Sequence, residues 1–197
     1  KVTETHTLVG NAGASYGGKS AVGEVLVFSN SSGKLLRRLR SKNPYPNSQF
    51  GRLVTAQGQV AYVTEGSTFV HAIDLTNGKL LWTITTESGP GSALPGKSVQ
   101  IGSLAVEGHL LYLGLPDAWL LDYPALNFFI HEGMTLAVNV LNGNFVSHTN
   151  TSTDQEGGAQ YGQAVAAGGG YFAVGAPGYD AEKSGTPISN QGMVVVS

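Results

Sequence analysis

Apolar residues recur along this chain in short runs of Val, Leu, Ile, Phe, Tyr and Thr, and Gly, Asn, Ser or Pro closes each run. No segment sustains a helical period, so the pattern predicts strands. The clearest are Glu24–Phe28, Lys34–Leu39, Gln59–Thr64, Phe69–Leu75, Lys79–Thr85, Leu110–Leu113, Thr135–Leu141, Tyr171–Val174 and Met193–Val196. Hairpins are expected at Ser32-Gly33, Asn77-Gly78 and Asn142-Gly143. Asn-Gly tolerates positive φ at both central positions, as a tight two-residue hairpin requires.

A longer repeat lies over these strands. A bulky apolar residue followed by glycine opens a phrase at Phe50-Gly51, Ile101-Gly102 and Tyr161-Gly162. Each phrase continues with a strand, a glycine (Gly58, Gly108, Gly168) and a second strand ending at Val63-Thr64, Leu113-Gly114 or Val174-Gly175. A variable loop, a third strand, a glycine turn and a fourth strand complete the cycle. Leu8-Val9-Gly10 matches the end of a second strand, so the first phrase joins late, and the last stops after a third strand at Val194–Val196. Four-stranded units at this period are propeller blades.

The expected fold is therefore all-β, a β-propeller of four-stranded antiparallel blades with about 3.5–4 blades present. The blades fall near 1–49, 50–100, 101–160 and 161–197 in a single propeller segment, incomplete at both ends. Blade one lacks a first strand unless Val2–Thr7 supplies it, and blade four lacks its last. Exposed sheet edges are a liability, so further chain belonging to a larger propeller is expected. Further copies, another subunit or a compact four-bladed ring are the alternatives.

Composition agrees with strands buried on both faces. Charged residues are 12% of the chain, and glycine occurs 28 times in 197 residues, as many tight turns demand. The net charge of −2 offers no footprint for nucleic acid, and no apolar run is long enough for a membrane helix. There is no cysteine, which removes disulfides, thiolate metal sites and cysteine nucleophiles together. The basic cluster Arg37, Arg38, Arg40 and Lys42 reads as a solvated strand edge.

Some residues carry a resemblance. Tyr161-Gly162-Gln163-Ala164-Val165-Ala166, followed by Ala173-Val174-Gly175-Ala176-Pro177, resembles an FG-GAP repeat, the propeller repeat of integrin α heads and many secreted proteins. Blade two also resembles a quinoprotein-type repeat, through Ala72-Ile73-Asp74-Leu75-Thr76-Asn77-Gly78-Lys79-Leu80-Leu81-Trp82. Both families are propellers. The first resemblance implies extracellular adhesion, ligand binding or scaffolding, and many such repeats carry a calcium loop. Here the loop after Pro177 holds only Asp180 and Glu182 as acids, followed by Lys183, whereas Ca²⁺ wants six to eight oxygens. They are weak metal candidates, and no cofactor is assigned.

Other motifs have plain readings. Gly13–Ser20 and Gly91–Ser98 match the phosphate-loop pattern, but strands rather than helices follow both, so they read as glycine loops. His6, His71, His109, His131 and His148 have no metal-ligand spacing, and His71, within a strand, reads as a packed, hydrogen-bonded histidine. The carboxylates are scattered and no nucleophile elbow occurs, so no catalytic residue is assigned.

The insertion 116–132 is dense in apolar residues, among them Trp119, Tyr123, Phe128 and Phe129. Such a loop buries itself against something: a partner surface, its own propeller, or a blade gap capped by a short helix. Sequons place glycosylation candidates at Asn30 and Asn150. The expected function is an extracellular structural or adhesion module that binds protein or glycan and assembles, without catalysis. The alternative is a propeller enzyme or lectin with its ligand in the central funnel.

Overall fold

The computed structural model describes residues 1–87, 99–120, 130–131, 133–149, 159–179, 181–183, 186–188 and 192–197, with side chains not described at 119–120, 130–131, 181–183 and 186–188. These residues form strands and turns, with no α-helix among them. The chain divides into two compact units, Lys1–Ser98 and Val99–Ser197, each holding two blades.

In the first unit, blade one orders β1 (His6–Asn11), β2 (Glu24–Ser29) and β3 (Leu35–Leu39). Blade two orders β4 (Val54–Gln57), β5 (Val60–Glu65), β6 (Phe69–Asp74) and β7 (Leu80–Thr85), all antiparallel. In the second unit, blade three combines β8 (Ser103–Glu107) and β9 (Leu110–Leu115) with later strands. The insertion opens and closes as a two-stranded ribbon, β10 (Trp119–Leu120) and β11 (Ile130–His131), before β12 (Met134–Asn139) and β13 (Phe145–Thr149) complete the four-stranded sheet. Blade four contains β14 (Ala164–Gly168) and β15 (Tyr171–Ala176). A second ribbon, β16 (Ala181–Lys183) and β17 (Thr186–Ile188), precedes β18 (Met193–Val196), which pairs with β15 in the third-strand position. The chain is thus an all-β propeller segment built from four-stranded antiparallel blades, the outer two of them partial. Residues 1–3 reach the first-strand position of blade one through a single bridge, Val2 to Thr7, so His6 and Thr7 belong to the second strand.

Backbone hydrogen bonds confirm the alignment of the repeat. The N–H groups of Gly51, Gly102 and Gly162 donate to the carbonyls of Thr64, Gly114 and Gly175 at 2.8, 2.8 and 3.1 Å. The preceding Phe50, Ile101 and Tyr161 are all at most 2% exposed. A large apolar side chain anchors each blade, and the glycine behind it ties first strand to second.

The turns differ from expectation. At all three hairpins the loop has four residues, not two, and its last residue is a left-handed glycine: Gly33, Gly78 and Gly143, with φ of 65°, 77° and 72°. The N–H groups of Ser29, Asp74 and Asn139 donate to the carbonyls of Lys34, Lys79 and Asn144, closing equivalent loops. Neither Asn77 nor Asn142 takes positive φ. Their side-chain oxygens instead accept the N–H groups of Lys79 and Asn144, the Asx bonding that favours asparagine in turns.

Within each unit, adjacent blades meet at close backbone contacts. Gly23 lies in parallel register with Phe50, and Gly133 with Tyr161. Both precede the third strand of their blade, and a Cβ on either would strike the backbone of the next blade's anchor residue. Gly10 and Gly114 press in the same way on Gly51 and Gly162. In the first unit, Leu8, Val25, Val27 and Leu39 of blade one pack with Phe50, Ala61, Val63 and Ile73 of blade two.

Candidate functional site

A cavity of about 420 Å³ lies on the face of blade two that packs toward blade one. That is within the range of small-ligand sites. Cross-strand register builds its floor: Glu65 opposes Phe69, Val63 opposes His71, and His71 opposes Thr83. Period-two alternation therefore puts Glu65, Phe69, His71, Ile73 and Thr83 on one face. The segment after β3 supplies the rim, with Arg40, Lys42, Asn43 and Tyr45.

A polar chain crosses this floor. His71 Nε2 lies 3.0 Å from Glu65 Oε2, and its Nδ1 lies 2.9 Å from Thr83 Oγ1. An ionised carboxylate only accepts, so Nε2 carries the proton, and in the neutral ring Nδ1 accepts from the threonine hydroxyl. Phe50 and Phe69 stack on the imidazole, with centroids 5.9 and 6.5 Å away. His71 is thus the packed, bonded histidine that the sequence suggests. Glu65 is only 7% exposed, and its second oxygen, Oε1, is buried with no hydrogen-bond partner.

The basic cluster lies on and just after the edge strand β3 with Arg38, Arg40 and Lys42 exposed, as expected, but it is also paired. Glu24, 4% exposed, accepts from Arg38 Nη1 at 2.5 Å and from Arg40 Nε at 2.9 Å. The Arg40 guanidinium also lies 4.4 Å from the centroid of the Tyr16 ring, and Arg37 donates to the Thr76 carbonyl at 2.7 Å. A buried carboxylate needs charged donors, and these arginines supply them from the exposed edge, a role that charge clustering alone does not reveal. Partial burial raises the Tyr16 phenol above its usual pKa, against the opposing Arg40 charge. Burial also raises Tyr45, helped by the negative charges of Glu65 and Glu87.

The structure treats the other candidates unevenly. Asn30 stands at the β2–β3 turn, where its amide donates to the carbonyls of Thr3 and Glu4 at 2.9 and 3.2 Å and its Oδ1 accepts from Thr7 at 2.7 Å. The nitrogen that would carry a sugar thus ties the turn to the N-terminal residues. Asn150, Tyr123, Phe128, Phe129 and Asp180 lie outside the described residues, and Trp119 and Glu182 are placed only as backbone, on β10 and β16. Gly13–Ser20 is a loop containing a Tyr16–Lys19 bridge, while Gly91–Ser98 lies outside the described residues. Among the described residues no three His, Asp or Glu side chains stand close enough to hold a metal ion.

A second feature lies on blade four. Aligned by register, Val194 and Val196 occupy the third-strand positions of Val25 and Val27 in blade one, Val70 and Ala72 in blade two, and Thr135 and Ala137 in blade three. Those six residues are 0–5% exposed, whereas Val194 is 70% and Val196 63% exposed. Tyr171, on the same face, is 66% exposed, and Ala164 and Ala166 beside it are exposed too. Blade one has an uncovered face as well, where Val9 and Leu35 are 45% and 42% exposed beside half-buried Leu26 and Phe28.

No protein-family model matches the chain, and no curated protein matches it in sequence. Solved structures do. The computationally designed Ika4 protein aligns over 100% of this chain and 86% of its own, with a TM-score of 0.54 and 13% identity. BamB from Moraxella catarrhalis aligns over 99% of this chain with a TM-score of 0.46 and 13% identity, and a europium-containing methanol dehydrogenase over 76% with 0.48 and 13%. The chain spans 47% of BamB and 23% of the dehydrogenase. The likeness is one of fold.

Proposed function

We propose that this chain is a non-catalytic binding and assembly module that works through its blade faces. The observation that carries the reading is the exposure of Val194 and Val196 at positions buried in every other blade. The repeat itself indicates what covers such a face, because in the first unit Val25 and Val27 lie under the sheet of the next blade. The occupant in this reading is another blade face, supplied by a second copy of this chain where no further chain of its own covers the site, and the blade-one face of that copy offers Val9, Leu26, Phe28 and Leu35. The two faces differ, so the contact is heterologous, and it shields apolar surface that a lone chain leaves in water.

An extracellular setting with adhesion or scaffolding belongs to the same reading. Its supports are the FG-GAP-like phrase Tyr161–Pro177 and the two sequons. The anchor and glycine of that phrase are used structurally: Tyr161 is buried, and Gly162 has φ of 92°.

Sedimentation equilibrium tests the assembly. At about 100 µM the chain is expected to associate, and the double substitution Val194→Asp and Val196→Asp is expected to reduce it to monomer by putting two charges into the contact. Both positions are exposed, so the variant should keep its β-sheet circular dichroism. A wild-type chain that stays monomeric, or a double variant that associates equally well, overturns the proposal.

A further inference from the structure

Three of the four blades carry the same pair of glycines. By register, Gly10 opposes Val25, Gly114 opposes Thr135 and Gly175 opposes Val194. A second glycine stands two residues before each of those third-strand partners: Gly23, Gly133 and Gly192, with φ of 79°, 79° and 70°. Their N–H groups donate to the carbonyls of Ala14, Ala118 and Tyr179 at 3.0, 3.2 and 3.0 Å, so the three pairs are held alike. Blade two has Thr64 and Thr68 at these places, so a blade by itself makes no demand for glycine there.

The next blade makes that demand. In blades one and three the pair receives the backbone of the apolar-glycine phrase that opens the following blade. A Cβ on Gly10 or Gly114 would strike the carbonyl oxygen of Gly51 or Gly162, and one on Gly23 or Gly133 the backbone of Phe50 or Tyr161. The phrase needs its own glycine as well. Gly51 and Gly162 have φ of 86° and 92°, and a Cβ there would lie 2.9 Å from the Glu24 carbonyl oxygen or 2.5 Å from that of Met134. Blade four differs. Among the described residues, a Cβ on Gly175 would meet only Ala164, and one on Gly192 only Ala176 and Pro177, all at 3.6 Å or more. Gly114 and Gly133 are buried, whereas Gly175 and Gly192 are partly exposed, beside the exposed Val194 and Val196.

We propose that Gly175 and Gly192 form a socket for a segment in which a bulky apolar residue precedes glycine, the opening phrase of a partner's blade. This rests on the reading that another blade covers the face, and it adds the sequence by which that blade is recognised. The glycine carbonyl of the phrase lies over Gly175, and the apolar residue runs parallel beside Gly192, as Phe50 does beside Gly23 and Tyr161 beside Gly133. Its side chain covers Val194 and Val196, just as Phe50 shares a buried cluster with Val25 and Val27. A side chain in place of the phrase's glycine meets the backbone of blade four, so selectivity comes from what the two backbones exclude.

Amide-resolved NMR of the full 197-residue chain, diluted until sedimentation shows monomer, tests the socket. The probe is an acetylated and amidated peptide with the sequence Ser48–Val54, which contains Phe50-Gly51. It is expected to move the resonances of Gly175, Gly192 and Val194 in the low-millimolar range, as suits a short segment that is ordered on binding. Gly10 and Gly23, already filled, should stay still. The same peptide with Gly51→Ala should bind about tenfold more weakly or worse. In the chain, Gly175→Ala should keep the urea midpoint, because its Cβ has room, and lose the peptide, whereas Gly114→Ala should lower the midpoint. Should Gly175→Ala fail to fold, the two peptides on the wild-type chain decide. Equal binding of both peptides, equal binding by the Gly175→Ala chain, or no movement at about 10 mM peptide overturns the proposal. The two readings fail separately. A chain that associates but takes no peptide overturns the socket alone, and a chain that takes the peptide but stays monomeric at every concentration overturns only the self-assembly.

Discussion

Phe50→Ala is expected to destabilise the first unit by about 3–5 kcal/mol, the range for removing a fully buried aromatic side chain. The ring is 1% exposed and belongs to the cluster that joins blade one to blade two. It also stacks on His71, and its N–H donates to the Val22 carbonyl at 2.9 Å, beside the parallel bridge to Gly23. Truncation leaves a void adjoining the existing cavity, and the close Gly23 approach prevents the backbones from collapsing into it. Urea denaturation followed by tryptophan fluorescence measures the change, because Trp82 lies on β7 of the same unit. A loss below about 1 kcal/mol would mean that Phe50 does not anchor the blade.

The second large effect is expected where no side chain exists. Gly162 has φ of 92°, and a Cβ there would lie 2.5 Å from the Met134 carbonyl oxygen and 2.8 Å from the Leu115 nitrogen. Alanine is strained in that conformation and collides with the backbone of blade three, which cannot rotate aside as a side chain can. Gly162→Ala should therefore cost about 3 kcal/mol or more, the sum of a left-handed penalty and an overpacking penalty. Gly58→Ala separates the two contributions. Gly58 also has positive φ, 56°, but nothing lies within 4 Å of its would-be Cβ, so its replacement should cost only about 1–2 kcal/mol. Equal losses at the two sites would show that conformation, not the approach of the blades, sets the need for glycine.

The parts of this fold legible in the sequence are those decided locally. A strand alternates or stays apolar over a few residues, and a hairpin joins neighbours in the chain, so β6, β7 and β18 fall within a residue or two of their expected bounds. The apolar-glycine phrase was legible for the same reason, and its hydrogen bonds to the second strand repeat in three blades. The turns are wider than an Asn-Gly pair requires. Asn-Gly allows a two-residue loop, but the side-chain bonds of Asp74 to Thr76 and Asn77 favour the four-residue form.

The candidate site was mostly hidden, because it depends on partners brought together by pairing. Glu65, His71 and Thr83 come from three strands. The Asn77-Gly78 hairpin does oppose His71 to Thr83, a signal that strict register counting could have found, but nothing near Glu65 in sequence marks it as buried. Glu24 is similar: two arginines 14 and 16 residues away reach it only because β2 and β3 pair. Charge clustering in one dimension places those arginines at a solvated edge, where they do lie, but does not show the buried carboxylate that they pair with. The open face of blade four becomes visible only when equivalent positions are compared for burial, which requires the structure.

Cross-linking tests the assembly most directly. The chain contains no cysteine, so Val9→Cys and Val194→Cys each introduce one thiol on an exposed residue, the first on the blade-one face and the second on the blade-four face. The two variants, mixed and treated with a short bismaleimide, should give a covalent pair dominated by Val9→Cys joined to Val194→Cys. Either variant alone should cross-link poorly, because the contact is heterologous. Val194→Cys coupling to itself as readily as to Val9→Cys, or no covalent pair in the mixture, would contradict the account.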